Sequence, residues 1–241
     1  MMLGLLSLFI TLLPAQALPA SSPKMLPPYF VLAGDSTTAT QSSNGGGWGD
    51  GFLNTTLFNG ASGHNYGHNG ATTVSFRAGG DWDKVLATVK NVSHEHHPFV
   101  TIQFGHNDQK AAANISLSQY TENLQRFVAE AVDAGATPIL VTPLSRRNYE
   151  NSSGEPLIIQ DLANQTAATI TAAHNTGASF IDLNRASTQY LNAIGPTDAI
   201  VFGGIVAEMI QRDFPALHAH GFVRVNETLK EDLARDIYYW P

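Results

Sequence analysis

Short apolar runs that close on glycine or a polar turn alternate with longer stretches whose apolar residues recur three and four positions apart. Residues 29–33 run apolar into Gly34, and residues 99–104, 137–142 and 178–183 repeat the pattern. Runs that are apolar at successive positions predict strands buried on both faces. A further strand is expected just ahead of Asn65. The clearest helix is 118–134, where Tyr120, Leu124, Phe127, Val128, Ala131 and Val132 keep helical spacing. Ser118 is placed to cap it, and Gly135 follows as the residue that leaves the helix. Residues 81–90, 157–175 and 200–214 also read as helices. Strands and helices in alternation predict an α/β fold, with a parallel sheet covered on both faces. Neither an internal repeat nor a linker divides the chain, so residues 27–241 are expected to form one domain.

The first residues do not belong to that pattern. Residues 3–13 are apolar, too short to span a bilayer, and are followed by Pro14-Ala15-Gln16-Ala17. This reads as a secretory signal peptide, residues 1–17, cut near Ala17, although no Lys or Arg precedes it. The competing reading is a buried N-terminal helix. No later segment reaches membrane-spanning length, so no membrane association is expected. Sequons begin at Asn54, Asn91, Asn114, Asn151, Asn164 and Asn226, which suits a secreted, extracellular glycoprotein with several exposed loops.

Composition then closes several classes. Hydrophobic residues make up 43% of the 241 and charged residues 14%, which excludes a disordered tail or a coiled coil. The net charge is −7 with no basic block, so a nucleic-acid backbone would be repelled. With no cysteine, there is no disulfide, thiolate zinc site, iron–sulfur cluster or cysteine nucleophile. His94-Glu95-His96-His97 lacks the spacing of a metal-binding helix and reads as a solvated loop. No cofactor or metal is expected, and the chain is expected to be a monomer.

In a parallel sheet, chemistry gathers beyond the C-terminal ends of the strands. Three such ends carry unusual residues: Gly34-Asp35-Ser36-Thr37, then Asn65-Tyr66-Gly67-His68-Asn69-Gly70, then Gly105-His106-Asn107-Asp108. Singly, each is also an ordinary turn sequence. Their order at successive strand ends sets them apart.

With these blocks, the chain resembles the SGNH (GDSL-type) hydrolases, and among them the rhamnogalacturonan acetylesterase-like enzymes. Gly47-Trp48-Gly49, ahead of the first helix, and Thr142-Pro143-Leu144-Ser145-Arg146-Arg147, after a strand, are similar to that subgroup. The resemblance implies a flavodoxin-like three-layer α/β/α sandwich and ester hydrolysis, typically deacetylation of plant cell-wall pectin, so an acetylated polysaccharide is the expected substrate. It implies Ser36 as nucleophile, with the Ser36 and Gly70 N–H groups and the Asn107 amide as oxyanion donors. These roles fit the residue types. A serine between a strand and a helix N-terminus sits where negative charge is favoured, and an oxyanion needs convergent donors. Glycine at position 70 lets its N–H approach closely. Asp35 and Asp108 are expected to hold their loops through turn-type hydrogen bonds.

One block departs from the family. The resemblance calls for Asp-x-x-His before the last helix, the histidine as general base and the aspartate as its orienting acid. Here Leu191-Asn192-Ala193-Ile194-Gly195-Pro196-Thr197-Asp198-Ala199 runs directly into Ile200-Val201-Phe202-Gly203-Gly204. Asp198 is the candidate remnant of the acid, although an aspartate beside Thr197 and Pro196 also fits an ordinary turn. None of the nine histidines stands in the required place. Three functions stay open: an esterase whose sequence has lost its base, a non-catalytic glycan-binding relative, and an esterase for lipid or other acyl groups. Trp48 and Trp82 are candidates for stacking on sugar rings or for the core. At most one of Arg146 and Arg147 is expected to face a polyuronate carboxylate, because adjacent residues point different ways.

Overall fold

Pro28–Gly34 (β1) is flanked on both sides by parallel neighbours, and its side chains alternate between two apolar layers. A computed structural model describes residues 25–40, 46–151, 154, 156–196 and 202–225. The signal-peptide segment, Asp198 and the Asn226 sequon lie outside the described residues. After β1 come Trp48–Thr55 (α1), Ser62–Asn65 (β2), Thr73–Ala78 (α2), Asp81–Val92 (α3) and His97–Gln103 (β3). Leu117–Asp133 (α4), Thr137–Val141 (β4), Tyr149–Glu150 (β5), Leu157–Ile158 (β6) and Ala163–Thr176 (α5) follow. Ser179–Ile181 (β7), Leu183–Ile194 (α6), Phe202–Asp213 (α7) and Pro215–Ala219 (α8) complete the described chain. The main sheet is parallel throughout, in the order β2-β1-β3-β4-β7, and β5 and β6 pair as a small antiparallel ribbon.

The sheet is covered on both faces, as expected of a three-layer α/β/α sandwich. Val31, Ala33, Val100, Ile102 and Leu140 face α2, α3, α4 and α5, meeting Phe76, Trp82, Phe127 and Ala172. Phe30, Leu32, Ile139 and Val141 face the other way, toward α1, α6 and α7, meeting Phe52, Tyr190 and Ile205. Burying one such large side chain is worth about 1.5–3 kcal/mol, so the two layers hold the strand ends fixed. On the second face α1 and α7 touch through glycine: a Cβ on Gly203 would lie 2.6 Å from the Gly51 backbone. That close approach carries the start of α7 to the edge where β1 ends.

The strands fall where the apolar runs lie, but several helices differ from expectation. Residues 157–162 are not helical, and the helix there begins only at Ala163. The Ile158 N–H donates to Asn192 Oδ1 and the Ile159 N–H to the Asn148 carbonyl, so tertiary partners draw this segment into the ribbon. Helix α4 is capped by Ser116, whose hydroxyl accepts from the Gln119 N–H at 3.1 Å, and Ser118 lies inside the helix. Val132 is 54% exposed and does not belong to the buried face of α4. Helix α6 was not anticipated. Asp182 ends β7 by accepting from the Arg185 N–H and from Thr142 Oγ1, turning the chain into that helix. Of the described sequons, Asn54, Asn91 and Asn164 sit within helices rather than loops, although all five described asparagines are exposed.

Candidate active site

The register of the sheet brings the three sequence blocks to one edge. Gly34 pairs with Gln103, and Leu32 with Asn65, so the segments beyond β1, β2 and β3 emerge side by side. The Asp35 N–H donates to the Gln103 carbonyl, and the His68 N–H donates to the Gly34 carbonyl at 2.9 Å. Ser36 therefore leaves the sheet between the other two blocks.

Beyond β1 the backbone makes a tight turn rather than the first turn of a helix; α1 begins only at Trp48, which, like Gly49, belongs to that helix rather than preceding it. The expectation that Ser36 opens a helix is thus corrected. Asp35 Oδ1 accepts from the Thr37 N–H and Thr37 Oγ1 at 2.9 and 2.8 Å, the turn-holding role expected of it. Gln103, buried under the turn, accepts through Oε1 from Thr37 Oγ1, Thr38 Oγ1 and the Trp48 indole N–H. This glutamine was missed in the sequence, because its partners lie 55 to 66 residues away. Trp48 is 3% exposed and Trp82 fully buried, its indole donating to Glu130, so both serve the core rather than a sugar ring.

Gly70 has φ +80°, in the left-handed region where only glycine is comfortable. A Cβ there would meet nothing within 4 Å, so the backbone angle rather than crowding requires glycine, a correction to the close-approach argument. Among the described residues nothing accepts from its N–H, which leaves that donor for a ligand. Gly70 lines a small depression of about 170 Å³ with His68 and Ser75. His68 Nδ1 meets Asp81 Oδ2 at 2.6 Å and so anchors the loop to α3.

Asn107 bridges toward that loop: its Nδ2 donates to the Ala71 carbonyl at 2.9 Å. Lys110 Nζ donates to Asn107 Oδ1 at 2.6 Å, which fixes the amide orientation and leaves the second amide hydrogen for a ligand. Asp108 Oδ1 accepts from both the N–H and the hydroxyl of Thr73, at 2.8 and 2.6 Å. It does not make the local turn expected of it; it ties the third block to the start of α2. Burial pushes its carboxyl up, against those hydrogen bonds.

Ser36 lines a cleft of about 410 Å³ together with Thr37, His106, Arg146, Leu191 and Phe202. Leu191 lies in α6 and Phe202 begins α7, so the C-terminal half of α6 and the start of α7 border the serine's cleft. His106 is buried, and burial, with the Arg146 and Lys110 charges, pushes its imidazole down to about 4. It is therefore neutral at pH 7. No base was assigned to His106 from sequence, because its neighbourhood depends on β1 and β4. Arg146 and Arg147 both line this cleft, Arg146 Nη2 donating to the His106 carbonyl and Arg147 Nη2 to the Gly195 carbonyl. The His94–His97 segment is a turn from the end of α3 into β3, with exposed His94 and His97.

The model of the GDSL-like lipase/acylhydrolase family matches residues 32–201. The probable rhamnogalacturonan acetylesterase YesY of Bacillus subtilis (strain 168) is 30% identical over 176 residues, 69% of this chain and 75% of its own length. Among solved structures, protein YXIM from Bacillus subtilis superposes with a TM-score of 0.61 at 21% identity, over 88% of this chain. This chain spans only 55% of that protein. The acetylxylan esterase Axe2 from Geobacillus stearothermophilus gives a TM-score of 0.55 at 19% identity, over 77% of this chain and 93% of Axe2. Two further Axe2 structures are catalytic mutants, in which an aspartate and a histidine three positions apart are each replaced by alanine.

Proposed function

Because the chain belongs to the GDSL-like lipase/acylhydrolase family, and is by family a serine ester hydrolase, we propose that it is a secreted carbohydrate esterase that removes acetyl groups from rhamnogalacturonan in pectin. The observation that carries the reading is Ser36, which follows the C-terminal end of β1 and lines a cleft of about 410 Å³, at the sheet edge where the loops holding Gly70 and Asn107 also emerge. Ser36 Oγ attacks the acetyl carbonyl, the sugar hydroxyl leaves with a proton, and water then releases acetate from the acetylated serine. The donors stabilise the oxyanion formed in each step. Support for a sugar ester comes from the relatives, named for acetylated rhamnogalacturonan and xylan. The apolar leader and the exposed sequon asparagines support secretion and glycosylation, and the chain acts as a monomer.

One observation favours a second reading. Residues 191–204 contain no Asp-x-x-His, the pair at which the Axe2 catalytic mutants were made, so the chain is an impaired esterase or a glycan binder. Acetate release from acetylated rhamnogalacturonan, with acetylxylan in parallel, tests both. Release that depends on Ser36 supports the esterase; tight polysaccharide binding without acetate supports the binder.

A further inference from the structure

Asparagine precedes glycine three times in the sequence, at Asn44, Asn59 and Asn69, and the second and third pairs lie among the described residues. Each of those two pairs forms the tip of a turn closed by one backbone hydrogen bond. The Ala61 N–H donates to the Phe58 carbonyl at 2.9 Å, and the Ala71 N–H to the His68 carbonyl at 3.1 Å. Both asparagines are exposed. In every other respect the two turns differ. Asn59 is pinned: its Nδ2 donates to the His220 and Gly221 carbonyls, each at 3.2 Å, and its backbone holds φ +54°. Asn69 is not in the left-handed region, and among the described residues its side chain makes no hydrogen bond. The peptide unit that joins it to Gly70 is equally unheld. Among the described residues nothing donates to the Asn69 carbonyl, and nothing accepts from the Gly70 N–H. A Cβ at Gly70 would meet nothing within 4 Å, and a glycine in such open space lets the peptide unit beside it rotate at little cost. Both residues border the depression of about 170 Å³ that also holds His68 and Ser75, so water reaches the Asn69 amide.

From this contrast we propose that Asn69-Gly70 is a site of spontaneous deamidation, at which the free amide closes on its neighbour's nitrogen and ends as a carboxylate. The Gly70 nitrogen bonds to Asn69 Cγ, the Cγ–Nδ2 bond breaks, and Nδ2 leaves as ammonia with the proton that the Gly70 nitrogen gives up. One water then opens the five-membered ring. Attack at Cγ leaves aspartate; attack at the main-chain carbonyl leaves isoaspartate, which carries the backbone through one extra carbon. Hydroxide is the base for the first step, so the reaction quickens as pH rises. Asn59 must first break two hydrogen bonds and leave its left-handed angle, so it reacts about tenfold or more slowly. The chemistry at Asn69 does not depend on the reading of Ser36, but its consequence does. Where Ser36 is the nucleophile, the new carboxylate stands one residue from an oxyanion donor and opposes the charge that the donor stabilises. The extra carbon of isoaspartate also shifts the Gly70 N–H itself.

The test is ageing of the full, folded chain in mildly alkaline buffer, with fragment mass spectrometry of its digest to read the amide-to-acid change at each asparagine. Asn69 is expected to convert about tenfold or more faster than Asn59, to yield isoaspartate beside aspartate, and to slow in mildly acidic buffer. In urea, which melts both turns, the two rates should come together, because Gly-Ala follows each asparagine. An Asn69 that keeps its amide overturns the proposal, and so do equal rates at Asn59 and Asn69 in the folded chain. A difference that survives in urea overturns it as well, since the neighbouring sequence and not the turn would then set the rate. Hydrolysis of an activated acetate ester is measured apart from this and bears on Ser36 alone.

Discussion

The Nδ1 atom of His106 lies 3.7 Å from the Oδ2 atom of Asp35, and each atom is buried without a hydrogen-bond partner among the described residues. Burial acts on both groups against charge: it pushes the imidazole down to about 4 and the carboxyl up. For His106 the unfolded chain binds more protons than the folded one between pH 4 and the ordinary value of 6.5. Its contribution to stability is therefore complete above pH 6.5 and is lost as pH falls toward 4, a change of about 3 kcal/mol. The raised Asp35 works the other way, contributing stability at low pH that is lost as pH rises. His106→Gln removes the first effect and keeps the second. Urea unfolding at several values from pH 7 to 4.5 should show the variant gaining on the unmodified protein as pH falls. Parallel curves would contradict the burial argument.

In a chain given an Asp-x-x-His segment after Asp198, Ser36→Ala should abolish the burst of acyl-enzyme expected with an activated acetate ester, while leaving the fold intact, because the backbone bonds of the turn remain. Rapid-mixing measurement of the first turnover checks this. A burst that survives the substitution would assign the attack to another group.

In the same chain with an Asp-x-x-His segment, Asn107→Ala removes one oxyanion donor, so kcat on an activated ester should fall by roughly 10²–10³. Lys110→Met leaves the amide in place but frees Asn107 Oδ1 from the bond that orients it, and a smaller fall is expected. Steady-state kinetics on both variants separates donor from positioner. Equal losses would mean that Lys110 acts on the reaction directly.

Gln103→Leu strips two donors, Thr38 Oγ1 and the Trp48 indole N–H, of a shared acceptor beneath the Ser36 turn, while Thr37 Oγ1 keeps Asp35 Oδ1. Leaving buried donors unpaired costs about 1–3 kcal/mol each, so a loss on the order of 3 kcal/mol is expected from denaturant unfolding. An unchanged midpoint would show that the turn holds itself.

These residues mark what the sequence displays and what it hides. The parallel strands are legible because both their faces are buried, so Phe30 to Ala33 is a continuous apolar run whichever layer each side chain enters. The strand-end blocks were legible as motifs. Helix α6 was not, because Asn184, Arg185, Ser187, Thr188 and Gln189 dilute its apolar stripe, and Asp182 gains its capping role by ending β7. Ser116 and Ser118 are alike as letters; only the backbone at Ser116 is extended, and that decides the cap. Gln103, Lys110 and His106 acquire their meaning from partners placed by the fold. Gly70 was recognised for the wrong reason, since its left-handed angle follows from the loop path and not from its neighbours.

The last prediction concerns the base. As the chain stands, Ser36 has oxyanion donors but no Asp-x-x-His in residues 191–204, so its hydroxyl keeps its proton at neutral pH and attacks poorly. Donors and binding alone leave roughly 10³–10⁴ of acceleration over water in triad enzymes, so turnover of an activated acetate ester should be barely measurable. Because Leu191 of α6 and Phe202 of α7 both line the Ser36 cleft, a segment joining those helices is well placed to deliver an imidazole to the serine. Inserting an Asp-x-x-His segment after Asp198 should therefore raise kcat by several orders of magnitude, with a pH profile that rises through the range of an ordinary imidazole. Lengthening the connection between two helices costs little in closure entropy, so the insertion should be tolerated. High turnover by the unmodified chain would refute this account. His106→Gln would then show whether the histidine already in the cleft had taken the role, since its imidazole, titrating at about 4, would give a rate already at its plateau by pH 6.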